Sequence, residues 1–173
     1  DIAVERLYAP SFYNVKSPEK HPVYRQAEKY ALPLTWLTSG DTVDVDGTAY
    51  FAVLGPITHD TLNENNNSLV LRLTTPQGDM LLAADMEVPE EQALLSAGLL
   101  EKALVLKVGH HGDGDASSEG FLYTVRPQIA VISSNTLEEP DTPDPAVLGR
   151  LWNIGAEVFV TQKATLGVMI MLK

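Results

Sequence analysis

Two apolar runs that stop abruptly on residues able to bind a metal constrain this chain more than any other feature. Leu81-Leu82-Ala83-Ala84 ends on Asp85, and Leu104-Val105-Leu106-Lys107-Val108 ends on Gly109-His110-His111-Gly112. A buried strand that finishes this way delivers a carboxylate or an imidazole to the rim of a sheet. Two such rims can face one metal site.

A length of 173 residues with 45% hydrophobic and 20% charged content predicts one domain with a sizeable core. The formal net charge of -11 repels polyanions, and no dense basic patch offsets it. That disfavours a module that coats nucleic acid or an anionic membrane, but not a metal-assisted phosphodiesterase. Cysteine is absent, which excludes disulfides and thiolate zinc sites and leaves the compartment open. With no apolar run of about 18 residues and no basic-then-apolar leader, neither a membrane span nor a signal peptide is expected in these residues. The start on Asp1 suggests a mature or trimmed product.

The first part of the chain predicts a strand over 4–8, a loop over 10–22, a helix over 23–30 and strands over 34–37, 42–45 and 50–54. The last two form a hairpin on Asp46-Gly47. A polar loop over 57–67 then leads to strands over 68–74 and 80–84, joined by a turn at 76–79. From there the pattern alternates: helix 89–97, strand 103–108, helix 117–125, strand 129–133, helix 145–154, and strands 157–161 and 168–172. A meander followed by β/α alternation predicts an α/β layered domain.

Several residues could carry chemistry. Asp85 could bridge two divalent ions and acidify water, or simply cap the helix that follows. Adjacent histidines at a strand end point in opposite directions, so one of His110 and His111 is expected to reach a metal. The other would support that ligand, touch substrate, or lie on the surface. His59 is a candidate for an additional ligand or a solvated loop residue. Ser117 or Ser118 is an expected helix N-cap whose first-turn amides could hold an anion, and Asn65-Asn66-Asn67 either satisfies a turn or lines a polar cleft. Neither a dinucleotide pattern nor a glycine-flanked serine nucleophile is present.

The succession Asn66-Asn67-Ser68-Leu69-Val70-Leu71-Arg72-Leu73, Leu81 to Asp85 with Glu91 beyond it, Lys107-Val108-Gly109-His110-His111-Gly112, Ser117-Ser118-x-x-Phe121-Leu122 and Pro127-x-x-Ala130-Val131-Ile132-Ser133 resembles a known pattern. It is similar to the metallo-β-lactamase-fold domain at the C-terminus of competence proteins of the ComEC type, and to related phosphorylcholine esterase-like hydrolases. The resemblance spans nearly the whole chain. It implies an αββα sandwich, of which this chain supplies the C-terminal two-thirds. It also implies metal-dependent hydrolysis, with Asp85 as the bridging carboxylate and one of His110 and His111 as the late histidine ligand. Lys107 and Ser117 match motif positions tied to packing or the site rim.

The resemblance further implies two zinc or manganese ions in the complete domain and a phosphoester substrate, either DNA or a phosphorylated cell-envelope component, in an extracytoplasmic bacterial setting. The chain departs from the pattern in three places. The H-x-H-x-D-H motif that supplies most ligands does not occur in it, Ala84-Asp85 stands for the usual Gly-Asp, and Asp144-Pro145 stands for the usual His-Pro. The expectation is a single, N-terminally incomplete domain, inactive alone, that is either a trimmed fragment of an active enzyme or a piece that pairs with a separate N-terminal segment. The competing reading is a non-catalytic binding or scaffolding domain on the same fold.

Overall fold

A computed structural model describes residues 3–14, 21–135, 140–163 and 168–171. Its frame is a seven-stranded sheet built from β3 (Thr42–Asp44), β4 (Tyr50–Gly55), β5 (Val70–Thr75), β6 (Gly78–Leu82), β7 (Val105–Lys107), β8 (Ile129–Ile132) and β9 (Glu157–Val160), in that spatial order. Strands β3 to β6 pair antiparallel, and β6 to β9 pair parallel. The change of sense follows from the connections: short turns join β3 to β4 and β5 to β6 and a longer loop joins β4 to β5, whereas α2 (Val88–Ser96), α3 (Glu119–Val125) and α4 (Pro145–Asn153) cross over between the later strands. A separate parallel pair, β1 (Leu7–Pro10) with β2 (Leu34–Leu37), is bridged by α1 (Pro22–Lys29).

Local chemistry fixes these joints. In the β3–β4 hairpin Gly47 adopts φ 80°, the Asp44 carboxylate accepts its N–H, and Asp46 Oδ1 accepts the N–H groups of Thr48 and Ala49 at 3.0 and 2.9 Å. Helix α4 starts on Asp144, whose Oδ1 accepts the Ala146 N–H at 2.6 Å, with Pro145 in the first turn. Asp144-Pro145 is therefore a capping step.

The core lies on one face of the sheet. Leu81, Leu106, Ala130 and Ile132 pack with Leu94 of α2, Phe121, Leu122 and Val125 of α3, and Val147 and Leu151 of α4, all essentially inaccessible. On the opposite face the registered row Leu71, Leu82, Lys107, Val131 and Phe159 is only partly buried, as are Leu73, Met80 and Ile129. This is the mixed α/β class expected from the alternation, with one large sheet and its helical layer in place.

Boundaries differ from expectation in a few places. The first strand lies at Leu7–Pro10 instead of 4–8, because pairing with β2 and not apolar alternation selects it. The expected loops carry 3₁₀ turns at Ser11–Tyr13 and Glu64–Asn67. A last strand over 168–172 is not formed by Val168 to Met171, and Leu172 lies outside the described residues, as do 15–20 of the expected first loop.

Candidate functional site

Strands β6, β7 and β8 run parallel toward one edge, and the residues that follow each of them build the site. This is the edge at which open α/β sheets place their ligands. After β6 the chain turns sharply, with the Met86 N–H bonded to the Ala83 carbonyl at 3.1 Å and Ala84 at φ 50°. Asp85 is thereby turned outward, its side chain 48% exposed. The capping explanation of Asp85 does not hold, because the N-cap of α2 is Glu87.

After β7, His110 and His111 both occupy the left-handed region, at φ 44° and 54°. A non-glycine residue there costs about 1–2 kcal/mol, so the turn persists only where its surroundings over-determine it. The His110 N–H donates to the Ala84 carbonyl at 3.0 Å, and the Asp113 N–H donates to the His110 carbonyl at 2.8 Å. The two strand ends are thus stitched together. A Cβ at Gly109 would lie 3.0 Å from the Met86 carbonyl oxygen, which accounts for glycine at that position.

The two imidazoles diverge, as expected for adjacent residues. His111 Nδ1 lies 2.7 Å from the Ser133 carbonyl oxygen at the end of β8. A carbonyl only accepts, so Nδ1 carries the hydrogen and, in the neutral ring, Nε2 keeps its lone pair. That Nε2 faces Asp85 Oδ1 at 3.5 Å. Two electron-pair donors held face to face in this way suit a cation or a proton between them. Ligand atoms about 2.0–2.2 Å from a tetrahedral metal lie about 3.3–3.6 Å from each other, so this donor pair fits two corners of such an ion. A backbone carbonyl fixing the far nitrogen is also the usual support for a histidine ligand.

His110 turns to a different set of groups. Its Nδ1 lies 2.9 Å from Asp115 Oδ1 and 3.7 Å from Glu87 Oε1, and its Nε2 lies 3.2 Å from Asn65 Nδ2. Glu87 is buried and accepts the amides of Asn63 and Asn65 at 2.6 and 2.8 Å, while its own N–H donates to Asn66 Oδ1. Burial pulls the His110 imidazole down, but Asp115, with Glu87 and Asp113, outweighs burial and holds it above its ordinary value. Glu87, His110 and Asp115 offer ligand atoms within 4.8 Å of one another, close enough to hold a metal ion. His110 also lines a cleft of about 230 Å³ with Asp113, Pro140, Asp141 and Thr142.

The remaining candidates fall elsewhere. His59 is exposed and stacks on Phe12 at 5.2 Å, with Tyr13 edge-on at 6.4 Å. Among the described residues it joins no group of three or more metal-binding side chains. Ser118 caps α3, its Oγ accepting the Phe121 N–H at 3.4 Å. The N–H groups of Ser117 and Ser118, just ahead of that helix, are taken by the protein's own Glu91. Lys107 donates to the Val108 carbonyl at 2.8 Å; burial depresses its ammonium, and the nearby Asp85 charge opposes that. Sequence reasoning missed Glu87 and left Asp115 in a capping loop. Their only signal is proximity to Asp85 and the histidines: Asp115 meets His110 five residues away, while the amides that Glu87 accepts come from Asn63 and Asn65, 24 and 22 residues away.

No family model matches the chain. It is 31% identical over 160 residues to ComE operon protein 3 of Bacillus subtilis, covering 92% of this chain and 20% of that protein. It is 36% identical over 102 residues to Recombination protein 2 of Haemophilus influenzae, covering 59% and 13%, and 32% identical over 114 residues to Competence protein ComA of Neisseria gonorrhoeae, covering 64% and 16%. The chain thus spans a fifth or less of the length of these curated relatives. Among solved structures it matches a candidate metal-dependent hydrolase from Parabacteroides distasonis with a TM-score of 0.50 at 14% identity, covering 90% of this chain and 63% of that one, a likeness that speaks for the fold alone. Together with the order of the strand-end motifs, these likenesses identify the chain as ComEC-like, with a metallo-β-lactamase-type α/β fold.

Proposed function

We propose that this chain is the later part of a metal-dependent hydrolase that cleaves phosphodiesters, with Asp85 and His111 as metal ligands. One observation carries the reading: the Ser133 carbonyl fixes the His111 tautomer and leaves Nε2 facing the Asp85 carboxylate at 3.5 Å. When bound, a zinc or manganese ion would supply Lewis-acid polarisation and acidify water beside it. Asp85 contributes the charge that holds the ion, and His111 contributes a neutral donor of fixed direction. Lys107 brings a positive charge close to Asp85 in a chain of net charge -11, which favours an anionic phosphoryl group over a neutral substrate. DNA and a phosphorylated envelope component both meet that description, and relatives named for recombination and competence favour the former.

The further ligands that a working site needs come, in this reading, from a preceding segment of the same polypeptide, which also covers the partly buried apolar face around Leu73, Met80 and Val131. The test is metal content and chelator-sensitive cleavage of a chromogenic phosphodiester by protein carrying that segment. Near-stoichiometric metal and cleavage lost in Asp85→Ala support the enzyme. Metal-free protein without cleavage supports the alternative, a binding or scaffolding domain, which the meeting of no more than Asp85 and His111 at their edge of the described structure favours.

A further inference from the structure

The polar network around His110 is more extensive than a surface histidine needs. It ties together four separate segments: the Asn63 to Asn67 turn, Glu87 at the start of α2, the His110-His111 turn, and the loop carrying Asp115. The Val88 N–H adds a backbone bond to the Asp115 carbonyl at 3.0 Å. Every hydrogen in it can be placed by elimination. Glu87 accepts only, so the Asn65 nitrogen that lies 2.8 Å from it is the amide donor and not the oxygen. That same nitrogen lies 3.2 Å from His110 Nε2, which must then accept. The hydrogen of a neutral ring is therefore on Nδ1, where Asp115 receives it at 2.9 Å.

This assignment decides between two uses of the Glu87, His110 and Asp115 group. A metal on Nδ1 would force the hydrogen onto Nε2, against the Asn65 amide that Glu87 holds in place. The ring would lose one hydrogen bond and gain a donor-donor clash. The arrangement suits a support better than a ligand.

We infer that His110 is a positioning residue: Asn65, oriented by Glu87, and Asp115 clamp its ring, and the clamp holds the left-handed His110-His111 turn so that His111 presents Nε2 to Asp85. The two consecutive positive-φ residues supply the reason a clamp is needed. Each is a strained conformation for a residue that carries a Cβ, and without side-chain anchors on both rings the turn would relax and carry His111 away. Ser133 anchors the second ring, and the Asn65–Asp115 pair anchors the first. The role given to His111 rests on the metal reading above, whereas the clamp itself does not.

The experiment is ring-¹⁵N NMR of the 173-residue chain, without metal and during titration with zinc alone, in wild type, Asn65→Leu, His110→Ala and His110→Gln. In the metal-free wild type both His110 and His111 should carry their hydrogen on Nδ1. Zinc should move the His111 Nε2 resonance and leave His110 in place. His110→Ala should weaken zinc binding at His111 by about 10- to 100-fold, the scale of a lost supporting partner. His110→Gln, whose amide can both donate to Asp115 and accept from Asn65, should recover most of that loss. Asn65→Leu, which removes the partner of Nε2 alone, should leave the hydrogen on Nδ1 with Asp115 and weaken zinc binding at His111 as His110→Ala does. A wild-type His110 protonated on Nε2, a zinc-induced shift at His110 Nδ1, or a glutamine variant as damaged as the alanine variant would each overturn the inference. If zinc moves neither ring, the metal reading fails, and the clamp is decided by exchange of the His111 Nδ1 hydrogen: slow in wild type and His110→Gln but fast in His110→Ala if the clamp holds, alike in all three if it does not.

Discussion

Glu91 and Arg150 hold the same short loop by its opposite polarities. The Glu91 carboxylate accepts the N–H groups of Ser117 and Ser118 at 2.5 and 2.9 Å, and the Arg150 guanidinium donates to the carbonyls of Ser117 and Ala116 at 2.9 and 3.0 Å. Glu91 is 1% exposed, and Ser117 between them sits at φ 57°. Removing the carboxylate leaves the buried Ser117 amide and the half-buried Ser118 amide without an acceptor, at about 1–3 kcal/mol for the first and less for the second. Glu91→Ala should therefore destabilise the fold by about 2–5 kcal/mol, and Glu91→Gln, which keeps one acceptor, by less than half of that. Urea denaturation midpoints measure both, and equal losses would show that the cavity and not the hydrogen bonds sets the cost.

The same carboxylate predicts a pH dependence. Burial pushes Glu91 above its ordinary value, against the opposing bonds from Ser118 and Ser117 and the Arg150 charge, and burial likewise raises Glu90 against its bond from the Ile57 N–H. A carboxyl whose folded value is raised favours the native state while protonated, so its contribution is complete below the unfolded value near 4.5 and is lost as pH rises through the folded value. Glu91→Gln, which stays neutral, should therefore lose less stability than wild type as pH rises from about 4.5 toward neutrality. Denaturation series on both proteins across that window check the sign. A wild type that gains more stability than the variant with rising pH would contradict it.

How much of this was legible depended on sequence distance. The strands that deliver Asp85 and the histidines were readable because an apolar run and its terminal polar residue are contiguous. The divergence of His110 and His111 was expected from strand alternation, whereas the structure produces it in a left-handed turn beyond the strand. Which ring faces Asp85 was not readable, because the choice is made by Ser133, 22 residues away, and by Asn65, 45 residues away. Glu87 and Glu91 were unreadable as buried groups for the same reason: nothing local marks a helix-start glutamate as buried, and only the long-range amides that satisfy it do so. The resemblance supplied the parallel sheet edge but could not supply those partners.

Ala84 offers a cleaner test of backbone strain. It stands where the family pattern that this sequence resembles implies glycine, and it adopts φ 50°. The left-handed region costs an alanine about 1–2 kcal/mol, whereas glycine's extra entropy in the unfolded chain returns about 0.5–1 kcal/mol of that. Ala84→Gly should stabilise the chain by about 0.5–1 kcal/mol, read as a rise in melting temperature. Its carbonyl still accepts the His110 N–H, so zinc binding at His111 should be unchanged. A lower melting temperature would mean that the turn tolerates alanine for a packing reason.

The last prediction concerns what the 173 residues can do alone. A catalytic zinc ion usually takes about three protein ligands and leaves one position for water, and a two-metal site needs more. The described residues bring Asp85 and His111 together, while His110 is committed to Asp115 and Asn65, and His59 stacks on Phe12. His21 accepts the Val23 N–H at the start of α1. Two ligands hold an ion weakly, so zinc should bind at micromolar strength at best, depend on Asp85 and His111, and be indifferent to His59→Ala. Turnover of a chromogenic phosphodiester should be absent, and both binding and turnover should appear when the preceding segment is restored. Calorimetric zinc titration of the three single variants, paired with that assay, decides the matter. Robust chelator-sensitive turnover by the chain alone would place the active site somewhere other than the Asp85–His111 edge.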